Sequence, residues 1–219
     1  YTLPEALWLA ETIDDVVVGY PSADRAAIAQ LASSPELAQR VTVMVDSEHQ
    51  LDFIDSVLPP GARLEIRVAI ELDVSYSSRL FGRLGVWRSP VRTAEEAGRL
   101  AQAVVAREGF RLVGMMAYES QIAGVPAARN PIRDLILRDI HRRSFAEVRE
   151  RRAAAVAAVS AHAELEFVNG GGTGSLHLTS GDPSVTELGA GSGLLAGHIF
   201  DGFAAFEPAP ASAWGLTVV

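Results

Sequence analysis

The sequence has no cysteine and no lysine; all nineteen residues counted as Lys+Arg are arginine. Without cysteine there is no disulfide framework and no thiolate metal site, a composition that fits a reducing compartment such as the cytoplasm. Positive charge is scarce as well. A formal net charge of -8 over 219 residues disfavours a general nucleic-acid binder, whose non-specific affinity comes from surplus Lys and Arg. Residues 129–152 are a local exception, with eight arginines against four acids, and a solvated outer helix face accounts for them. No apolar run reaches the roughly 20 residues of a membrane-spanning helix. No basic start leading into an apolar run marks a signal peptide. The five histidines, His49, His141, His162, His177 and His198, lack metal-ligand spacing and read as packing or surface residues. His177 stands out only because it follows a glycine-rich loop.

What is present is an alternation of apolar runs and helical stretches. "YTLPEALWLAET" opens with a capping box, Thr2 followed by Glu5, with Pro4 in the first turn. A start at Tyr1, in the middle of a pattern, reads as a piece of a longer chain. Further helices are expected over 22–32, through "EHQLDFIDSVL", from the second capping box of Thr93 and Glu96 to Arg107, and from Pro131 to about Ala163. Between them lie six expected strands, 15–20, 41–46, 64–73, 110–119, 165–169 and 194–200. Continuous Val/Ile/Leu-rich strands separated by helices imply a parallel sheet covered by helices. The fold class is therefore α/β, a parallel (β/α)8 barrel of TIM type with about six of its eight strands present. After Phe206, "EPAPASA" reads as a linker and "WGLTVV" as the start of a second, β domain. The expected division is thus 1–206 and 207–219.

In a parallel barrel, the loops after the strand C-termini carry the site. After Asn169 come Gly170, Gly171, Gly172 and Thr173, with Gly174 and Ser175 behind them; unhindered backbone N–H groups and hydroxyls can converge on an anion there. "TELGAGSGLL" repeats the chemistry with Gly189, Gly191, Ser192 and Gly193. The pair suggests a phosphate site, while flexible turns are the plainer reading. Asp46 and Asp73, at the ends of apolar runs, suit either acid–base chemistry or capping. Tyr118 and Glu119 fall on the same face.

The segments "FVNGGGTGSLHLTSGDPSVTELGAGSGLL", "LVGMMAYESQIAGVP" and "GRLGVWRSP" resemble the fold-type III pyridoxal-phosphate enzymes, within them the D-threonine aldolase, D-serine dehydratase and amino acid deaminase group. That resemblance implies an alanine-racemase-like barrel, pyridoxal 5'-phosphate as cofactor, and a lyase acting on D-amino acids, β-hydroxy ones foremost. It assigns phosphate binding to Gly170, Gly171, Gly172, Thr173, Gly191 and Ser192. Tyr118 is assigned to the cofactor pocket and to catalysis, and Arg83 to the neighbourhood of the pyridine ring, with Arg88 as its competitor. It also implies a Schiff-base lysine on a strand upstream of Tyr1, a divalent metal bound beyond Val219 with no metal ligand in this chain, a small amino acid substrate and a homodimer. Relatives often carry an aromatic residue after the second loop, where this chain has Leu194 and Leu195. A fragment without its lysine is expected to be inactive. The alternatives are a non-catalytic barrel that handles pyridoxal phosphate, an amino acid racemase, and a phosphosugar-type barrel enzyme.

Overall fold

The computed structural model describes residues 1–78, 80–125, 131–203 and 209–211. The chain forms two compact units: Tyr1–Asp73, Trp87–Ala117 and Arg151–Val168 make the first, Val74–Val86, Tyr118–Glu150 and Asn169–Val219 the second.

The first unit is built on strands β1 (Val16–Val18), β2 (Val41–Val45) and β3 (Ile66–Glu71) and on the later strand Phe110–Ala117. β1 pairs parallel with β2 and β2 with β3. Every residue of β2 and β3 is buried, as expected for strands covered on both faces. Helices α1 (Leu3–Leu9), α2 (Arg25–Ser33), α3 (Pro35–Arg40), α4 (Glu48–Val57) and α5 (Ala94–Val105) fill the connections. Both expected capping boxes form, Thr2 with Glu5 and Thr93 with Glu96. The helix expected over 22–32 starts later, capped by the Asp24 side chain on the Ala27 N–H at 3.0 Å. Ser34 then caps a new helix opened by Pro35, because proline has no N–H to continue the old one.

The second unit begins with a hairpin that the sequence pattern did not disclose, β4 (Tyr76–Ser78) against β5 (Gly82–Leu84), antiparallel. β6 (Phe110–Ala117) follows in the chain, then α6 (Ser120–Ala123) and the 30-residue α7 (Pro131–Ser160). β7 (Phe167–Gly170) leads from the first unit into the second, and α8 (Leu176–Thr179) and β8 (Glu187–Leu188) close the order. Six strands form one sheet in the order β1-β2-β3-β6-β7-β8.

One expected strand is corrected. Residues 194–200 form no strand; the sixth is β8, where Asn169 pairs with Glu187 and Gly170 with Leu188. The apolar run "LLAGHIF" instead turns at Ala196, with φ 44°, and enters a 3-10 helix at His198–Gly202. Leu194 and Ile199 are largely exposed, 86% and 71%. Hydrophobicity alone misled there, since the chain runs beside β7 a few residues earlier and turns away at Gly189, Gly191 and Gly193. The expected boundary at 206 and the expected strand in "WGLTVV" lie outside the described residues.

Candidate functional site

At the end of β7 the backbone reaches Gly171 with φ 88°, a conformation that favours glycine. Thr173–Ser175 then form a 3-10 turn, closed by the Ser175 N–H on Gly172 O at 2.9 Å. The turn is pinned from behind by Glu119, which follows β6 and is fully buried. Its carboxylate accepts from the Gly171 N–H at 3.2 Å, from the Ser175 hydroxyl at 3.1 Å and from the Thr179 hydroxyl. Hydrogen bonds to an ionised acceptor are the strong kind, so this carboxylate fixes the loop. Sequence reasoning named Glu119 without a role; the legible signal was a strand-end carboxylate in a chain that also carries a loop rich in N–H and hydroxyl donors.

Two of the glycines have a packing reason. A Cβ on Gly172 would lie 2.8 Å from both the Tyr118 ring and Ala123 Cβ, and one on Gly174 would lie 2.3 Å from Ala123 O. Tyr118 is thereby brought against the glycine turn.

The second glycine cluster meets the first. Gly189 donates to Gly170 O at 2.9 Å, and Gly191–Gly193 form another 3-10 turn. The hydroxyls of Thr173 and Ser192 are 2.8 Å apart. The N–H groups of Thr173 and Gly174 open one turn and those of Gly191 and Ser192 the other, and the first N–H groups of any helical turn lack partners within it. Four such donors with two hydroxyls are the makings of an anion-binding concavity.

Arg83 sits on the hairpin, its Nε donating to Ser75 Oγ at 2.7 Å. The hairpin is stitched to the residues after β6 by the Val86 N–H on Ser120 Oγ at 2.9 Å and by Gln121 Nε2 on Val74 O at 2.9 Å. Arg83 and the glycine turns thus attach to one short segment, 118–121, through different residues.

Arg88 belongs to the first unit. Its Nε lies 2.6 Å from Glu71 Oε1, its Nη2 donates to Gly19 O, and its guanidinium stacks 4.2 Å from the Tyr20 ring centroid. Burial pushes the Glu71 carboxyl up to about 7; Arg88 opposes that shift and the carboxylates of Asp46 and Asp73 reinforce it. Asp46 accepts from the Ser47 hydroxyl at 3.0 Å, and Asp73 lies 3.9 Å from Arg92.

His177 is exposed and, with His141, lines a cavity of about 460 Å³ within the second unit. Burial, and to a lesser degree His177, hold the His141 imidazole below its ordinary pKa. Among the described residues, no three His, Asp or Glu side chains form a group able to hold a metal ion, and no helix is long and apolar enough to cross a membrane.

No family model matches the sequence. The chain is 26% identical over 188 residues to the 3-hydroxy-D-aspartate aldolase of Paracoccus denitrificans, which covers 82% of this chain and 41% of that protein. Among solved structures it superposes on D-threonine aldolase from Filomicrobium marinum with a TM-score of 0.67 at 24% identity, over 87% of this chain and 46% of that one. It superposes on alanine racemase from E. faecalis with a TM-score of 0.65 at 17% identity, over 96% and 47%. The chain spans less than half the length of each. The structural likeness shows the fold, an incomplete parallel barrel of the alanine racemase kind, as the sequence pattern and the resemblance implied.

Proposed function

We propose that this chain is the cofactor-holding part of a pyridoxal-phosphate-dependent lyase acting on D-configured β-hydroxy amino acids. The observation that carries this reading is the meeting of two glycine turns at the Thr173 and Ser192 hydroxyls, 2.8 Å apart. Such a set of backbone and hydroxyl donors fits a phosphate monoester, which offers acceptors and negative charge. Similarity to 3-hydroxy-D-aspartate aldolase and D-threonine aldolase supports the substrate class, whereas the alanine racemase likeness is one of fold.

In this reading Gly170, Gly171 and Gly172 shape one side of the phosphate site, the N–H groups of Gly171 and Gly172 being taken by Glu119 and Ser175, so that Thr173 at the opening of the turn holds that side, and Gly191 with Ser192 the other. Glu119 keeps the first turn in shape by accepting three donors. Tyr118, packed on Gly172, lies against the cofactor and orients it for catalysis. Arg83 supplies a cation beside the ring nitrogen, which favours the unprotonated form of that nitrogen. When bound, the cofactor supplies an electron sink for charge developing at the substrate α-carbon. The covalent anchor is assigned to a lysine outside these residues, since none of the 219 is lysine. A divalent metal is likewise assigned outside this chain, and the whole enzyme is read as a cytoplasmic homodimer.

Calorimetric titration of the chain with pyridoxal phosphate and with pyridoxal tests the phosphate assignment. The phosphate ester should bind and the free alcohol should not, and the double variant Thr173→Ala, Ser192→Ala should weaken binding about 10-fold or more, as loss of charge-assisted hydrogen bonds implies. Equal binding of both compounds would overturn it. For the substrate class, the full-length protein should consume D-threonine or 3-hydroxy-D-aspartate and spare the L-enantiomers; reversed preference would sink that part.

A further inference from the structure

Side chains on one face of a strand recur every second residue, so Arg67, Ala69 and Glu71 share one face of β3. Ala69 belongs to an apolar cluster with Met44, Val113 and Phe167. Glu71 therefore lies one step from this cluster towards the strand's C-terminal end, the catalytic end of parallel α/β barrels. It is only 2% exposed, and its Oε2 has no hydrogen-bond partner. Such a carboxylate is costly to keep charged unless a partner compensates.

The partner is Arg88, on the segment 87–92 by which the chain re-enters the first unit after the hairpin excursion. That segment is tied down twice more: Ser89 Oγ donates to Glu71 O at 2.7 Å, and the Asp73 N–H donates to Val91 O at 2.8 Å. The charged and titratable groups around Glu71 are Arg88 on this segment, Asp46 after β2 and Asp73 after β3, with Arg92 3.9 Å from Asp73.

We propose that Glu71 is a positioning residue: its ionised carboxylate clamps Arg88 across the C-terminal ends of β1 and β3, and uptake of a proton there releases the guanidinium from it. The segment 87–92 is thereby a proton-sensitive element at the barrel's catalytic end. Protonation removes the buried charge that Arg88 compensates, while the Gly19 carbonyl and the Tyr20 ring continue to hold the guanidinium. The rise of the carboxyl to about 7 puts this exchange near neutrality. Its relevance to catalysis rests on the cofactor reading above; the clamp itself does not.

The test is a side-chain NMR titration of the ligand-free chain from about pH 5 to about pH 9, following the Glu71 carboxyl carbon and the Arg88 Nε–H together. Both should shift with one shared midpoint, and above it the Arg88 proton should exchange about 10-fold or more slowly than an exposed arginine at the same pH. Glu71→Gln should abolish the Arg88 transition, and Glu71→Asp should keep it with a shifted midpoint. An Arg88 signal that does not change with pH, midpoints more than about one unit apart, or a wild-type transition in Glu71→Gln would overturn the proposal. The wild-type measurement stands even if a variant fails to fold, and no cofactor is present, so failure here is separate from failure of the phosphate site.

Discussion

Strand β3 carries a charge towards each end of one face, and the two are treated in opposite ways. Arg67, near the N-terminal end, donates to Thr42 Oγ1 at 3.1 Å and to both oxygens of Glu166 at 3.3 and 2.7 Å, with Asp15 at 3.7 Å. Glu71, at the C-terminal end, meets one cation through one oxygen, leaves the other unpartnered, and has two more carboxylates in its field. The apolar layer of Met44, Ala69, Val113 and Phe167 lies between. One end is compensated as a structural ion network should be; the other keeps an electrostatic imbalance, and such imbalance clusters where barrels do chemistry.

The largest expected effect concerns the imbalanced end. The Glu71 carboxyl is raised from 4.5 to about 7, so between those values the folded state holds a proton that the unfolded state releases. The resulting stabilisation is complete below about 4.5 and is lost as pH rises through about 7. Measured against Glu71→Gln, the wild type should lose on the order of 3 kcal/mol between about pH 4 and about pH 8. Denaturant unfolding of both proteins across that range would show it, and parallel curves would refute it. Next comes the layer between the ends. A Cβ on Gly114 would lie 2.4 Å from the Phe167 ring, so Gly114→Ala should cost about 2–3 kcal/mol by overpacking, and Phe167→Leu should relieve part of it. At the compensated end, Arg67→Met should cost about 2 kcal/mol, but by the same amount at pH 5 and pH 8, because this variant removes no group that titrates near neutrality. Thr42→Val should cost about 1 kcal/mol through the lost hydrogen bond to Arg67. A strong pH dependence in either of the last two would erase the distinction between the ends.

The alternation along the chain was readable because local chemistry and global packing agree in it. Thr2 and Thr93 cap helices whichever way the chain folds, and the Val-rich runs of β2 and β3 suit burial on both faces. Agreement failed where partners are distant in sequence. β8 has two residues and no apolar signature, and exists because Asn169 and Gly170 offer it a ladder. The run at 194–200 looked more like a strand and had no such neighbour. The glycine loops were legible as a candidate anion site, but their joining through Thr173 and Ser192, 19 residues apart, was not.

By itself the sequence determined the class of fold, the helix starts, the glycine-rich strand ends and the absence of any lysine. Those features depend on side-chain period, capping chemistry and composition, all local. Only the tertiary structure decided that Glu119 would hold the glycine turn, that Tyr118 would need Gly172 to be bare, and that Arg88 would face Glu71 while Arg83 went to the hairpin. Each of these depends on which side chains meet in the fold rather than along the chain, and for the buried charges that choice matters most, because an uncompensated charge costs far more away from water than in it.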